Sequence, residues 1–442
     1  MTLTYTEFRP KTSVKVWTWR GEEYNLTGDL ISWQTSKSLT QPQGTFAIQL
    51  TDAKHNGVDW AQNIQPMDYV EIRASATGST HKGELPIIMR GFIDAASHSF
   101  SIGNTGGPME PRVLIQGRDY SKLLLEWQVL YLWTQNNAPQ MANAAAGLGL
   151  VLNYGLPVAA TSLQDFFTKT FGSMVGPIIQ GLHQHWLPNI PNFVRIVDLP
   201  DYMMSSSMVQ SYTGSFWNLF SYFVSPPFGE LFVRDDPDYP ALYARVTPYR
   251  SYIGITPSPG TELKPELNLP TAEMQSYNIG WTDNDVYTYY LTWGDQSQSQ
   301  QITMPAYAVD SGNGVNMDNQ SLYGTRPLII DTPWVNAATG GNPIQIASEL
   351  NQWLVQVMSG NNMFQSGNMT MQGREDYVVG KYGVVKDWDT EFYIADVNHQ
   401  YTQFQRWDTS LQVVRGRPLS LSKSNNNTSG PTSHGNTATS GG

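Results

Sequence analysis

One nine-residue segment of this chain occurs twice. Phe92-Ile93-Asp94-Ala95-Ala96-Ser97-His98-Ser99-Phe100 aligns without gaps on Tyr393-Ile394-Ala395-Asp396-Val397-Asn398-His399-Gln400-Tyr401. Aromatic falls on aromatic at both ends, Ile on Ile and His on His. Upstream, Asp68-Tyr69-Val70 is matched by Lys381-Tyr382-Gly383. Downstream, Ile115-Gln116-Gly117-Arg118 is matched by Val414-Arg415-Gly416-Arg417. Three pieces in the same order point to duplication, and a duplicated pattern imposes two related units on one chain.

Those units read as β. In Thr45–Thr51, Phe46, Ile48 and Leu50 share one face and Ala47 and Gln49 the other, the period-two pattern of a half-buried strand. Val70 and Ile72 alternate with Glu71 and Arg73, and Val113 and Ile115 with Arg112 and Gln116. Turn-forming clusters such as Gln41-Pro42-Gln43-Gly44 separate these runs, a spacing that fits a barrel or a sandwich. Between the repeats the pattern changes. Helical spacing predicts a helix from Asp119 through Trp133, a second from Gly214 to Val224 and a third from Pro343 to Met358. Pro226-Pro227 ends the second, because proline lacks the donor and clashes with the preceding turn. A hairpin is expected from Glu230–Arg234 and Ala241–Thr247. Residues 310–342 form a polar excursion rich in Gly and Asn. The last 21 residues are low-complexity and bury too little to offset chain entropy, which predicts a disordered tail over 422–442.

Composition removes several classes of function. The 442 residues include no cysteine, which excludes disulfides, thiolate nucleophiles and Cys-bearing metal sites. A net charge of −11 argues against a sequence-reading nucleic-acid binder, whose affinity comes from Lys and Arg on phosphates. No basic and apolar leader opens the chain, and no apolar stretch is long enough for a membrane anchor. No GxxxxGK[ST] occurs.

Asp68–Arg73, Arg90–Asp94, Val113–Asp119, Trp217 followed by Gly229–Arg234, Tyr243–Arg250, Trp388–His399 and Trp407–Gly416 form a pattern of strands and anchors. In this pattern the chain resembles the phage tail baseplate hub proteins, a group that includes contractile-tail hubs and the N-terminal part of the type VI secretion spike protein. The resemblance covers most of the chain to about residue 418; 135–207 and 310–342 have no counterpart in it.

The resemblance implies a mainly β fold with an α+β middle: two related tube-like β-barrel domains plus inserted α+β parts. The expected divisions are a first barrel over 1–117, a middle α+β region over 118–275, and a second barrel over 276–421. The second barrel would carry an inserted loop (310–342) and a helix (343–358). The implied function is structural, a homotrimer that adapts a sixfold tail tube to a threefold spike and forms part of the DNA channel. Its expected partners are the tail tube or distal tail protein on one side and the tail spike or tip protein on the other. The tape measure protein and baseplate wedge are further expected neighbours. DNA would pass without sequence-specific binding, within a virion tail baseplate assembled in the host cytoplasm. The second reading is a carbohydrate- or receptor-binding tail-tip module, and a cell-wall hydrolase ranks third.

No residue is assigned a catalytic, cofactor-binding or metal-ligating role, and no cofactor is expected. His98 and His399 read as structural strand histidines, and His183-Gln184-His185 lacks the companions of a metal site. Asp387, Asp389 and Glu391 read as a solvated strand face, and Asp235, Asp236 and Asp238 as a turn.

Overall fold

The computed structural model describes residues 8–51, 59–101, 110–129, 162–185, 187–200, 202, 214–250, 252, 266–294, 317–335, 343–358 and 360–419. The first strands are β1 (Lys11–Trp17), β2 (Glu23–Asn25), β3 (Leu30–Ser38), β4 (Thr45–Thr51), β5 (Tyr69–Ser75), β6 (Ile87–Ser101) and β7 (Glu110–Asp119), with a short helix α1 (Trp60–Asn63). They pair antiparallel in the order β2-β1-β5-β6-β7-β4-β3. The alternation read from the sequence is present in β4, where Phe46, Ile48 and Leu50 are buried and their neighbours are not. These three join Val14, Val16, Trp33, Ile72 and Ile115 in one core.

The middle contains α2 (Ser121–Glu126), β8 (Gln128–Val129), α3 (Leu163–Thr170), α4 (Gly176–His185), β9 (Val194–Asp198), β10 (Gly214–Ser215), α5 (Phe216–Val224), β11 (Gly229–Asp235) and β12 (Pro240–Val246). A π-helical turn, Phe171–Val175, joins α3 to α4. The expected helix from Asp119 is shorter, because the chain turns extended at Trp127 and pairs as β8. The helix after Gly214 forms as α5. The Ser215 hydroxyl accepts the backbone N–H of Asn218 at 3.2 Å, satisfying one of the donors a helix start leaves open. Phe216, Phe220 and Phe223 are buried on it. β11 and β12 form the expected hairpin, and β9 adds to β12 in parallel.

The remaining elements are β13 (Leu267–Asn268), β14 (Met274–Gly280), β15 (Tyr289–Gly294), α6 (Met317–Tyr323), β16 (Pro327–Thr332), α7 (Pro343–Met358), β17 (Gln365–Gln372), β18 (Tyr382–Val385), β19 (Thr390–Thr402) and β20 (Arg406–Pro418). Part of the polar excursion is regular: α6 and β16 lie within it, and β16 pairs with β15 in parallel. This pair, α7 and the turn that follows β16 bury Tyr290, Ile330, Trp334, Leu350 and Trp353 in the same core as α5. β15, β16 and α7 therefore pack on the middle of the molecule and not within the second set of strands. The tail, 422–442, lies outside the described residues.

The second set pairs in the order β14-β17-β20-β19-β18, with β13 beyond β18. Five strands of the first set, β3-β4-β7-β6-β5, have the same order and the same antiparallel sense. Tyr69 stands opposite Phe92, and Tyr382 opposite Tyr393. Each long strand carries a bulge at the matching place, between Ile93 and Ala95 and between Ile394 and Asp396. A second bulge also matches, between Leu30 and Ser32 and between Met274 and Ser276. The sixth position differs, since β1 runs antiparallel to β5 but β13 parallel to β18. One of the sequence matches is out of register. Gln116 corresponds to Gln412 by pairing, so Ile115–Arg118 does not superpose on Val414–Arg417. The fold is thus mainly β with α+β parts.

Candidate functional site

The two sets of strands are joined edge to edge into one 13-stranded sheet. β3 pairs antiparallel with the second half of β19, from Ser38 opposite Asp396 to Ser32 opposite Thr402. At this junction Trp33 and Tyr401 stack, and Trp407 meets Trp33 edge-on. The indole N–H of Trp33 donates to Thr12 Oγ1 at 2.9 Å, so the buried ring leaves no donor open.

The β11–β12 hairpin wedges against both halves. On the first, Lys37 Nζ lies 2.7 Å from Asp235 and 3.2 Å from Asp119. Burial works against the lysine's charge, yet the two carboxylates overcome it and leave its pKa raised. Asp119 is itself pushed upward, by burial first, with Lys37 opposing. Arg90 donates to the carbonyls of Asp236 and Pro237 at 2.8 and 2.9 Å. On the second half, Arg245 donates to Glu230 at 2.6 Å and to the Gly380 carbonyl at 2.6 Å. Tyr393 donates its hydroxyl to Glu230 at 2.7 Å. Burial, reinforced by Glu230, holds that phenol well above its ordinary pKa and so un-ionised. A loop of the second half also grips the first: Glu375 accepts the Ser75 hydroxyl at 3.1 Å and the Ala76 N–H at 3.0 Å.

A cavity of ≈ 570 Å³ lies where both halves and the hairpin meet, lined among others by Thr35, Lys37, Asp235, Glu375 and His399. Lys37 and Asp235 pair with each other in its wall, and Glu375 is held by Ser75 and Ala76. Buried ions arranged in this way fix the relative placement of the pieces they join, because removing one partner leaves the other desolvated and uncompensated.

The residues weighed from the sequence fall in separate places. Asp235 accepts Lys37, Asp236 accepts the Tyr243 hydroxyl at 2.6 Å, and Asp238 is an exposed partner of Lys82. Asp387, Asp389 and Glu391 do not share a solvated strand face. Asp387 sits in a 3-10 turn, Lys386–Trp388, and takes a hydrogen bond from Thr271; Asp389 is left-handed at φ 49°. Glu391 is fully buried between Arg250 and Arg417, the latter at 2.6 Å. His399 is buried with Nδ1 2.8 Å from Thr409 Oγ1, whereas His98 is half exposed, 3.4 Å from Asp59. His183 lies 3.2 Å from the Ile190 carbonyl. Among the described residues no three His, Asp or Glu converge as metal ligands. Lys37, Asp119, Glu230 and Arg245 were not singled out from the sequence. Nothing local marks them, since Lys37 and Asp235 are 198 positions apart.

No family model and no curated protein matches the chain. Among solved structures it is similar to a tail protein from Neisseria meningitidis MC58, with a TM-score of 0.47 and 12% identity over 91% of this chain and 96% of that one. It is similar to the 43 kDa tail protein of prophage MuSo2 from Shewanella oneidensis, at 0.47 and 13% over 91% and 97%. A third, an E. coli component of the type VI secretion system described as similar to T4 tail proteins, gives 0.40 and 11% over 93% and 76%.

Proposed function

We propose that this chain is the structural hub of a phage tail baseplate, working through interfaces and not through a reaction centre. In this reading three copies form a ring that meets a sixfold tail tube on one side and a threefold spike on the other. The observation that carries it is the repeated strand order with its two matched bulges: one chain presents two equivalent β surfaces, which is what a threefold object needs to meet a sixfold one. The sequence resemblance supplies the identity of the object.

Each repeat would be one tube-like barrel domain, and the middle region the buttress between them. The acidity suits a conduit: a wall without cationic clusters cannot hold DNA by releasing its counterions. Mass photometry of the pure protein, with cryo-EM of the tail tip of virions that carry it, tests the reading. Trimers at the tube–spike boundary are expected; a monomer in both settings would overturn it. The exposed rings of Tyr277 and Trp281 favour the second reading, a carbohydrate- or receptor-binding module. A glycan array separates the two, since that module would bind as a monomer.

A further inference from the structure

The junction between β3 and β19 has an unfilled counterpart. By pairing, β3 corresponds to β14: Trp33 stands opposite Ile48 as Tyr277 stands opposite Met369, and Thr35 opposite Phe46 as Ile279 opposite Gly367. The second half of β19 corresponds to the second half of β6, with His399 matching His98. In the first pair of positions the strands meet within the chain. In the second pair they do not. Among the described residues β14 pairs only with β17, and Ala95–Ser101 of β6 pairs only with β7.

The two open edges differ from their closed counterparts as one edge waiting for another would. Trp33 is buried under Tyr401, but its equivalent Tyr277 is 62% exposed. His399 is buried, but its equivalent His98 is half exposed. Sequence also keeps the aromatic on the other side of the pair, since Phe100 occupies the position of Tyr401. Solitary edge strands are ordinarily blunted by Lys, by Pro or by inward charges. Neither Met274–Gly280 nor Ala95–Ser101 contains Lys, Arg, Asp, Glu or Pro.

We propose that β14 of one copy pairs antiparallel with Ala95–Ser101 of a second copy, in the register that β3 and β19 use within the chain. Ile279 then stands opposite His98, as Thr35 stands opposite His399, and the register runs from Ser276 opposite Ser101 to Thr282 opposite Ala95. Each copy gives one edge and receives the other, so the contact is heterologous and builds a ring when its rotation closes. The sheet continues through the interface, and backbone hydrogen bonds between copies replace those an edge would make with water. This deepens the proposed hub and rests on it for the number of copies; the register rests on the internal repeat.

The cysteine-free chain makes the test direct. His98→Cys and Ile279→Cys are placed together in the full-length protein, oxidised mildly and run on a non-reducing gel. Directly opposed Cβ atoms lie within disulfide reach. Covalent species up to the full ring are expected, and mixing the two single variants should give dimers and nothing larger. Ser97→Cys with Ile279→Cys, one residue out of register and on the opposite face, should link roughly tenfold less. Trimers by mass photometry without an in-register link would overturn the pairing and leave the hub standing. Links within an assembly of another size would support the pairing and overturn the trimer. A monomer without links would overturn both.

Discussion

Trp33 and Tyr401 stack with ring centroids 5.5 Å apart and planes 10° from parallel, across the ladder that joins the two sets of strands. The pair ties residues of β3 to residues of β19 more firmly than backbone hydrogen bonds alone could, because both rings leave water when the halves meet.

Trp33→Ala should therefore cost roughly 3–5 kcal/mol, the transfer and cavity loss of a buried aromatic. A cycle with Tyr401→Ala should show coupling of about 0.5–1.5 kcal/mol. Urea denaturation followed by circular dichroism measures both. Additive losses would mean that the rings fill space independently.

Glu391 is the deepest carboxylate of the second half, set between Arg250 and Arg417. Glu391→Gln removes the anion from between two buried guanidinium groups and leaves Arg250 the more exposed carboxylate of Glu266, which should cost up to about 3–5 kcal/mol. Asp387→Asn, four residues earlier and at the surface, should change the unfolding midpoint little. Equal effects of the two substitutions would refute the distinction.

That distinction was hidden in the sequence for a local reason. Asp387, Asp389 and Glu391 alternate as a strand's outer face would, but the 3-10 turn Lys386–Trp388 and the left-handed Asp389 break the alternation, and β19 begins only at Thr390. The mismatched end of the repeat has a different cause. His98 corresponds to His399 but Ile115 to Leu411, so the connection between the two long strands is five residues shorter in the second half, which puts Val414–Arg417 three positions beyond the true counterpart of Ile115–Arg118. Arg415, at φ 57°, adds a bulge in β20 that β7 lacks. The aromatic–Ile–His segment was legible because its residues lie within one strand and share its bulge. The junction was not, since Lys37, Asp119 and Asp235 meet from three distant stretches, each of which reads as an ordinary charged turn or strand end.

His399 gives the fold a dependence on acid. Burial lowers its pKa from the ordinary 6.5 to about 4, with a backbone hydrogen bond to Tyr377 opposing. The folded state binds this proton less readily than the unfolded state does. Its contribution is thus complete above pH 6.5, falls as pH drops from there, and is spent below about pH 4. The slope should approach about 1.4 kcal/mol per pH unit within that window. Unfolding free energies at pH 7, 6 and 5 should decline in the wild type and decline less in His399→Phe. Parallel slopes would assign the decline to other groups.

The last prediction concerns a backbone feature that both halves share. Met67 and Gly380 precede the matched strands at the same point, and each N–H bonds to the carbonyl of the matched isoleucine, Ile93 or Ile394, at 2.8 and 3.0 Å. Both are left-handed, at φ 72° and 75°. Such a backbone costs a residue with a Cβ about 1–2 kcal/mol, and glycine nothing. At Gly380 a Cβ would also stand 2.8 Å from Arg245 Nη2 and 2.9 Å from the Phe232 ring. That guanidinium donates to the Gly380 carbonyl and holds Glu230, so displacing it loosens the hairpin from the second half. Gly380→Ala should accordingly destabilise by about 2 kcal/mol or more, strain and lost contacts together. Met67→Gly relieves strain but frees the unfolded chain and removes a packed side chain, so its net effect should stay within roughly 1 kcal/mol of zero. Guanidinium titrations of the two variants measure the contrast. A Gly380→Ala protein as stable as the wild type would show that the turn can open without disturbing Arg245, and the hairpin's hold on the second half would then lie elsewhere.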